Sequence, residues 1–144
     1  MGDDLVLTRN NVVLSGSGER ALVFAHGFGC DQHMWKDVAH QFEADFRVVL
    51  FDHGGAGASD LSAYASAKYS SLDGYGSDLV EIGDALELQN AVIIGHSVSA
   101  MIGALASIKR PDRFGEIVMV GPSPRYIDED DYVGGFSATQ IEEL

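Results

Sequence analysis

Four short runs of apolar residues, bounded by glycines or polar residues, constrain the fold of this chain more than any other feature. They read ALVFA at 21–25, FRVVLF at 46–51, AVII at 91–94 and EIVMV at 116–120. Runs of this length, rich in β-branched residues and with little polar alternation, are typical of strands buried on both faces of a parallel sheet. The sequence therefore predicts a sheet that is covered by helices on both sides.

Segments with helical spacing of apolar residues lie between these runs. They cover 31–42, 76–88 and 98–108, and the last is small and apolar nearly all round, which predicts a buried helix. Strands that alternate with helices indicate parallel βαβ units joined by right-handed crossovers. The predicted fold class is therefore α/β.

The first residues of the chain predict a different element, an antiparallel hairpin. Two short apolar segments, 5–7 and 11–14, are separated by the polar residues 8–10 and followed by SGSG at 15–18. Apolar segments bounded by such turn residues are typical of paired strands. We therefore expect two N-terminal strands that pair with each other.

Composition excludes several classes of protein. The chain has 144 residues, 46% of them hydrophobic, which is enough for one domain with a core, and its formal charge is -13. Such acidity argues against a surface for nucleic acid or an anionic membrane, and no apolar run approaches the length of a membrane span. The single cysteine, Cys30, forms no internal disulfide, and the first residues do not resemble a signal peptide, so we expect a cytoplasmic location.

The sequence GHSVS at 95–99 joins the third apolar run to a helix-like segment. A strand, a sharp turn and a helix form the setting of a nucleophile elbow, in which Ser97 would project above the sheet edge. Such a turn needs small residues two positions to either side, and Gly95 and Ser99 are both small. The alternative is that Ser97 only caps the helix that begins at Val98, which is a common role for serine.

The loop HGFG at 26–29 favours the catalytic interpretation, because it follows the first apolar run. Serine hydrolases of this layout hold the oxyanion with the N–H after the nucleophile and one N–H from such a loop. The expected donors are the backbone N–H groups of Phe28 and Val98. Gly27 and Gly29 would let the backbone approach the substrate.

Several longer segments resemble the α/β-hydrolases. They are HGFGCDQHMW (26–35), FDHGGAGASD (51–60), YSSLDGY (69–75), GHSVSAMIG (95–103), RPDRF (110–114) and GPSPRYIDEDDYVGGF (121–136). Within that family the chain is most similar to the subgroup that holds the bacterial RsbQ-type regulator of sigma-B and the plant strigolactone and karrikin receptor hydrolases. This resemblance implies an α/β-hydrolase fold, no metal or cofactor, and a serine hydrolase acting on a small apolar ester or lactone in stress or small-molecule signalling.

The resemblance also implies roles for particular side chains. His96, Tyr126 and Phe136 fall where family members line the substrate pocket, although ordinary packing would account equally well for the two aromatic residues. His53 falls in what the resemblance implies is a structural loop, and the alternative for His53 and for His96 is a substitute acid–base role. We interpret Cys30 as a small packing residue.

The chain contains no histidine after Ser97, whereas α/β-hydrolases order their triad as Ser, then Asp or Glu, then His. The five histidines are at 26, 33, 40, 53 and 96. We therefore expect an N-terminal part of a longer hydrolase, with 1–122 in the core, 123–144 at the start of a helical lid, and the triad Asp and His beyond Leu144. This chain alone is then expected to be inactive.

The same expectation has two structural consequences. Strand 116–120 would be an exposed apolar edge, because the strands that follow it in the family would be absent. Asp128, Asp130 and Asp131 follow Ser97 but lie in the lid-like stretch, so we interpret them as solvated charges and not as the triad acid.

Two other functions fit parts of the sequence. The same pocket would serve a non-catalytic receptor that binds a small molecule and then a signalling partner, such as the phosphatase expected in the bacterial subgroup. A dinucleotide-binding domain would also place GFGCDQ after a strand and Asp52 at the end of the next one. That second alternative lacks its third glycine, which is Gln32, and leaves the elbow unexplained.

Overall fold

The computed structural model describes residues 2–144 and centres on a five-stranded sheet. The strands are β1 (Val13–Ser15), β2 (Ala21–Ala25), β3 (Arg47–Leu50), β4 (Ala91–His96) and β5 (Phe114–Val120). Their order across the sheet is β1-β3-β2-β4-β5; β1 runs antiparallel to β3 and the other pairs are parallel. The four strands predicted from the apolar runs are confirmed, with ends that differ by at most two residues.

Helices and short 3₁₀ turns cover the sheet. The α-helices are α1 (Gly2–Arg9), α2 (Leu72–Ala85), α3 (Val98–Lys109) and α4 (Ala138–Glu142), and the 3₁₀ turns are Gln32–Trp35, Ala39–Phe42, Leu61–Ala63 and Lys68–Ser70. Among the residues described, no helix is both long enough and apolar enough to cross a membrane.

The centre of the sheet, β2 with its neighbours β3 and β4, is mostly buried, as its sequence predicts. All five residues of β2 are buried, and alternate residues belong to different hydrophobic clusters. Val23 packs with Leu79 of α2 and Ile102 of α3, whereas Phe24 packs with Trp35 on the opposite face. This alternation follows from the two-residue period of a strand.

Two helix predictions need correction. The helix predicted over 31–42 is replaced by the 3₁₀ turns Gln32–Trp35 and Ala39–Phe42, which are sufficient to bring Trp35 and Ala39 against the sheet. Helix α2 begins at Leu72, four residues before the predicted start at 76. Its early glycines serve close packing, because a Cβ at Gly74 would lie 1.9 Å from the carbonyl oxygen of Lys68.

The predicted N-terminal hairpin is wrong. Residues 5–7 belong to α1, and β1 pairs with β3, with Val13 opposite Leu50. The helix is held by contacts with α2, where Arg9 Nη2 lies 3.0 Å from Asp78 Oδ1 and 2.6 Å from Glu81 Oε2. These ion pairs join residues about seventy positions apart, so the local apolar pattern alone does not report them.

Asp78 is the centre of this N-terminal contact. Its side chain is fully buried and also accepts hydrogen bonds from Tyr69 Oη at 2.8 Å and Lys68 Nζ at 2.5 Å. One carboxylate therefore connects α1, α2 and the 3₁₀ turn Lys68–Ser70.

The strand β5 is the exposed edge that the sequence predicts. Val118, Met119 and Val120 are each at least 40% exposed, whereas Phe114 at its start is buried. After β5 the chain forms an irregular loop, closed by a bridge between Ile127 and Phe136, and then α4.

Candidate active site

Three loops meet at the carboxyl ends of β2, β3 and β4, where ligands bind in open α/β sheets. The loop after β2 holds His26 and Gly27, the loop after β3 holds His53, and the turn after β4 holds Ser97. The backbone N–H of His53 donates to His26 Nε2 at 3.1 Å. A Cβ on Gly27 would lie 2.5 Å from His96 Nδ1 and 3.5 Å from Ser97 Cβ, so glycine is required for this approach.

Ser97 has a backbone conformation that non-glycine residues rarely adopt, with φ 55° and ψ -122°. Its N–H donates to the carbonyl of Val120 at 2.8 Å, and its side chain makes no capping hydrogen bond with α3. Instead, Ser97 Oγ lies 3.0 Å from Tyr126 Oη. The alternative in which Ser97 only caps α3 is therefore wrong. Strain of this kind, about 1–3 kcal/mol, is concentrated at functional sites.

The residues around Ser97 explain how this turn is tolerated. A Cβ on Gly95 would lie 2.5 Å from the carbonyl oxygen of Ser99, so a larger residue at 95 would collide with the backbone of α3. Ser99 is fully buried beneath the turn. The two small residues noted in the sequence thus lie against each other, as an elbow requires.

The N–H groups of Phe28 and Val98 are available to a ligand, since within residues 2–144 neither donates to a backbone acceptor. The peptide group between Gly27 and Phe28 is held from its carbonyl side, which accepts from His26 Nδ1 at 2.9 Å and from Cys30 N at 3.2 Å. Because a trans peptide is planar, fixing the carbonyl also fixes the direction of the Phe28 N–H.

A cavity of about 490 Å³ opens beside Ser97. It is mostly apolar and is lined by Phe28, Ser97, Val98, Tyr126, Phe136, Ile141 and Leu144. The structure therefore brings five of the six predicted site residues to one cavity. The sixth, His96, lies outside this lining, with its ring against Gly27 and with its Nδ1 buried and lacking a partner among the described residues.

His53 is a buried side chain that the sequence assigned to a structural loop, with an acid–base role as the alternative. Its Nε2 lies 2.7 Å from Ser99 Oγ, which in turn donates to the carbonyl of His26. Burial, together with the neighbouring His26, lowers the pKa of His53 to about 3, so the ring is neutral near pH 7. The hydrogen bond of His53 Nε2 is thus made to Ser99 and not to Ser97. The one sequence signal for this contact was a serine at 99, where elbows commonly have glycine.

The carboxylate of Asp52 is buried and accepts its hydrogen bonds from groups within the fold. Burial would raise its pKa, but hydrogen bonds from Asn11 Nδ2, Gln32 N and Ala58 N outweigh that effect and hold the pKa below its usual value. The side chain is 1% exposed. It is therefore not free to bind a ribose, as the dinucleotide-binding alternative requires.

A second cavity, of about 450 Å³, shares Phe28 and Val98 with the first and is also lined by His26 and His53. Its lining includes Cys30, which is half-buried and unpaired, and Tyr75 of α2. Among the described residues, no group of three or more His, Cys, Asp or Glu side chains is placed to hold a metal ion.

Comparison with known proteins identifies the fold family. The model of the alpha/beta hydrolase fold matches residues 20–138. The chain belongs to the α/β-hydrolase family. In α/β-hydrolases a nucleophile sits on an elbow such as the one at Ser97, so the dinucleotide-binding alternative is wrong.

Named α/β-hydrolases resemble the chain over nearly its whole length. It is 43% identical over 140 residues to the karrikin insensitive 2 receptor CA of Petunia hybrida, covering 97% of this chain and 52% of that protein. It is 42% identical over 144 residues to the strigolactone esterase D14 of Arabidopsis thaliana, covering 100% of this chain and 54% of that protein. A solved hydrolase from Oleispira antarctica has a TM-score of 0.92 and 46% identity, over 98% of this chain and 52% of that one. The chain thus spans about half the length of the relatives it matches.

Proposed function

We propose that the protein carrying this chain is a serine hydrolase that cleaves a small apolar ester or lactone, with Ser97 as the nucleophile. The observation that carries this proposal is the strained backbone of Ser97, whose side chain makes no cap and faces an apolar cavity beside two available N–H groups. A serine that served only the fold would have no need of that conformation.

The chemistry follows from this arrangement. Ser97 Oγ attacks the carbonyl carbon of the substrate, and the carbonyl oxygen becomes an oxyanion that accepts hydrogen bonds from the N–H groups of Phe28 and Val98. The N-terminus of α3 adds the favourable end of its dipole. The C–O bond to the leaving group then breaks, the leaving oxygen takes up the proton that Ser97 gave to the base, and water hydrolyses the resulting acyl-enzyme. On this proposal the base that takes the Ser97 proton, and the acid that orients it, come from beyond Leu144.

The cavity supports the class of substrate. Its volume of about 490 Å³ and its aliphatic and aromatic lining fit a small apolar molecule, and Tyr126 Oη places one polar group next to Ser97 Oγ. Segment 123–144 supplies Tyr126, Phe136, Ile141 and Leu144, so we propose that it forms the start of a lid over a core made by 1–122. We assign His96 to support of the Gly27 turn at the edge of this pocket.

A second candidate function is a receptor that binds a small molecule without needing to turn it over. It is supported by the relative that is named karrikin insensitive 2 receptor CA and is 43% identical to this chain. In that case the ligand occupies the same cavity and a signalling protein binds the liganded form, a phosphatase if the bacterial subgroup is the guide. For both functions we propose a cytoplasmic location.

Hydrolysis by the full-length protein tests the first function. We expect turnover of p-nitrophenyl acetate and butyrate by the wild type and loss of turnover in Ser97→Ala, while Ser66→Ala, at an exposed loop serine, retains it. Absence of Ser97-dependent turnover, combined with ligand-induced thermal stabilisation of both wild type and Ser97→Ala, would instead favour the receptor.

A further inference from the structure

We propose that His53 is a positioning residue. It holds the oxyanion loop, defined as residues 26–29, in a fixed position relative to Ser97. This inference rests on the proposed function and adds a residue from a third loop to the same site. His53 lines the second cavity and not the one at Ser97, so on this proposal it acts on Ser97 and its substrate through other residues.

The first connection runs through the ring of His53 and Ser99. The Ser99 hydroxyl donates to the carbonyl of His26 at 2.5 Å, so its oxygen is left to accept from His53 Nε2 at 2.7 Å. A hydroxyl has a single proton to donate, which fixes the direction of both bonds. His53 therefore carries its proton on Nε2. The low pKa caused by its burial means that this neutral form persists through the usual assay range.

The second connection runs through the backbone of His53. Its N–H donates to His26 Nε2 at 3.1 Å, so the proton of the neutral His26 ring lies on Nδ1. That Nδ1–H donates to the carbonyl of Gly27 at 2.9 Å. The Gly27 carbonyl and the Phe28 N–H belong to one planar peptide group, so the bond sets the direction of the proposed oxyanion donor.

Both connections thus end on successive carbonyls of the oxyanion loop, those of His26 and Gly27. The loop needs such support because it contains two glycines, and Gly29 has φ 71°. Without fixed carbonyls, a glycine-rich loop samples many conformations and loses entropy when it binds substrate. The other oxyanion donor, Val98, is fixed by α3. Holding the loop to His53 and Ser99 therefore fixes the two donors relative to each other.

Substitutions in the full-length protein separate positioning from general support of the fold. His53→Leu and Ser99→Ala each break the ring connection, and His53→Gln keeps an N–H donor on a side chain of similar reach. His40→Gln makes the same change at an exposed histidine outside the site. For each variant, kcat and KM for p-nitrophenyl butyrate are measured at a temperature at which circular dichroism shows it folded.

We expect His53→Leu and Ser99→Ala to lower kcat by about 10- to 100-fold, which is less than the loss of an oxyanion donor itself, with KM changed by less than about threefold. The double variant should lose no more than either single one, because both break one connection. His53→Gln should recover most of kcat, and His40→Gln should match the wild type. If His53→Leu does not fold, Ser99→Ala alone carries the comparison, since it changes one buried hydroxyl.

Wild-type kcat in both His53→Leu and Ser99→Ala would overturn the inference while leaving the proposed function intact. A loss in His53→Gln equal to that in His53→Leu would also overturn it, because the donor would then be irrelevant. Absence of Ser97-dependent turnover in the wild type would overturn the proposed function, and this inference with it.

Discussion

Acid should destabilise this fold through His53 more than through any exposed histidine. The ring is buried beside three other ionisable groups, His26, Asp52 and Tyr75. Burial is the main cause that lowers its pKa from 6.5 to about 3, and the neighbouring His26 acts in the same direction. The unfolded chain therefore binds a proton at His53 between these two values, whereas the folded chain does not.

The sign and size of the effect follow from proton linkage. Because the folded-state pKa lies below the unfolded one, the contribution of neutral His53 is complete above pH 6.5 and is lost as the pH falls towards 3. Each pKa unit corresponds to about 1.4 kcal/mol, so by pH 5 this residue alone removes about 2 kcal/mol from the free energy of unfolding. That is a large share of the total stability of a typical domain.

Urea unfolding at pH 7, 6 and 5 measures this loss in three proteins: the wild type, His53→Gln and the exposed control His40→Gln. Carboxylates titrate alike in all three, so the difference between them isolates the histidine. We expect the wild type and His40→Gln to lose about 2 kcal/mol more between pH 7 and pH 5 than His53→Gln does. An equal loss in all three would refute the reasoning that His53 is buried and neutral.

Three further perturbations follow from the described contacts. Gly95→Ala places a Cβ 2.5 Å from the Ser99 carbonyl oxygen and should cost about 1–3 kcal/mol in thermal or urea unfolding; an unchanged midpoint would contradict the packing. Asp78→Asn leaves Arg9 and Lys68 without their buried carboxylate and should cost about 3–5 kcal/mol, whereas a loss below about 1 kcal/mol would show that the pair is dispensable. The isolated 144-residue chain should self-associate through β5 and show almost no esterase activity; Val118→Lys should shift it towards monomer in size-exclusion chromatography, and a wild-type chain that elutes as an active monomer would argue against both expectations.

The central sheet was predictable because its residues carry their own signal. Each of the strands β2 to β5 is a short apolar run, and the helices between them have apolar residues at helical spacing. Helix α1 was missed because the apolar residues 5–7 resemble a strand when read locally. What makes them helical is contact with α2, above all between Arg9 and Asp78, and such a long-range ion pair leaves no local pattern.

In the candidate site, too, some contacts follow from the sequence and others depend on how distant segments fold together. That Ser97, Phe28 and Val98 lie together at one cavity was predictable, because each follows a strand of the sheet in a motif whose spacing follows from backbone geometry. The contact of His53 with Ser99 was not, since it joins residues 46 positions apart. Nor does the sequence show that Ser97 Oγ meets the hydroxyl of Tyr126, because that depends on how the loop after β5 folds back over the turn.

Covalent labelling of the full-length protein with a fluorophosphonate tests the central claim, that Ser97 is a nucleophile, most directly. The reagent phosphonylates an activated serine, and peptide mass spectrometry identifies the modified residue. We predict one adduct on Ser97, the same labelling in the exposed-serine control Ser66→Ala, and no adduct in Ser97→Ala. Labelling of Ser97→Ala at the wild-type rate, or an adduct on a different residue, would contradict the account.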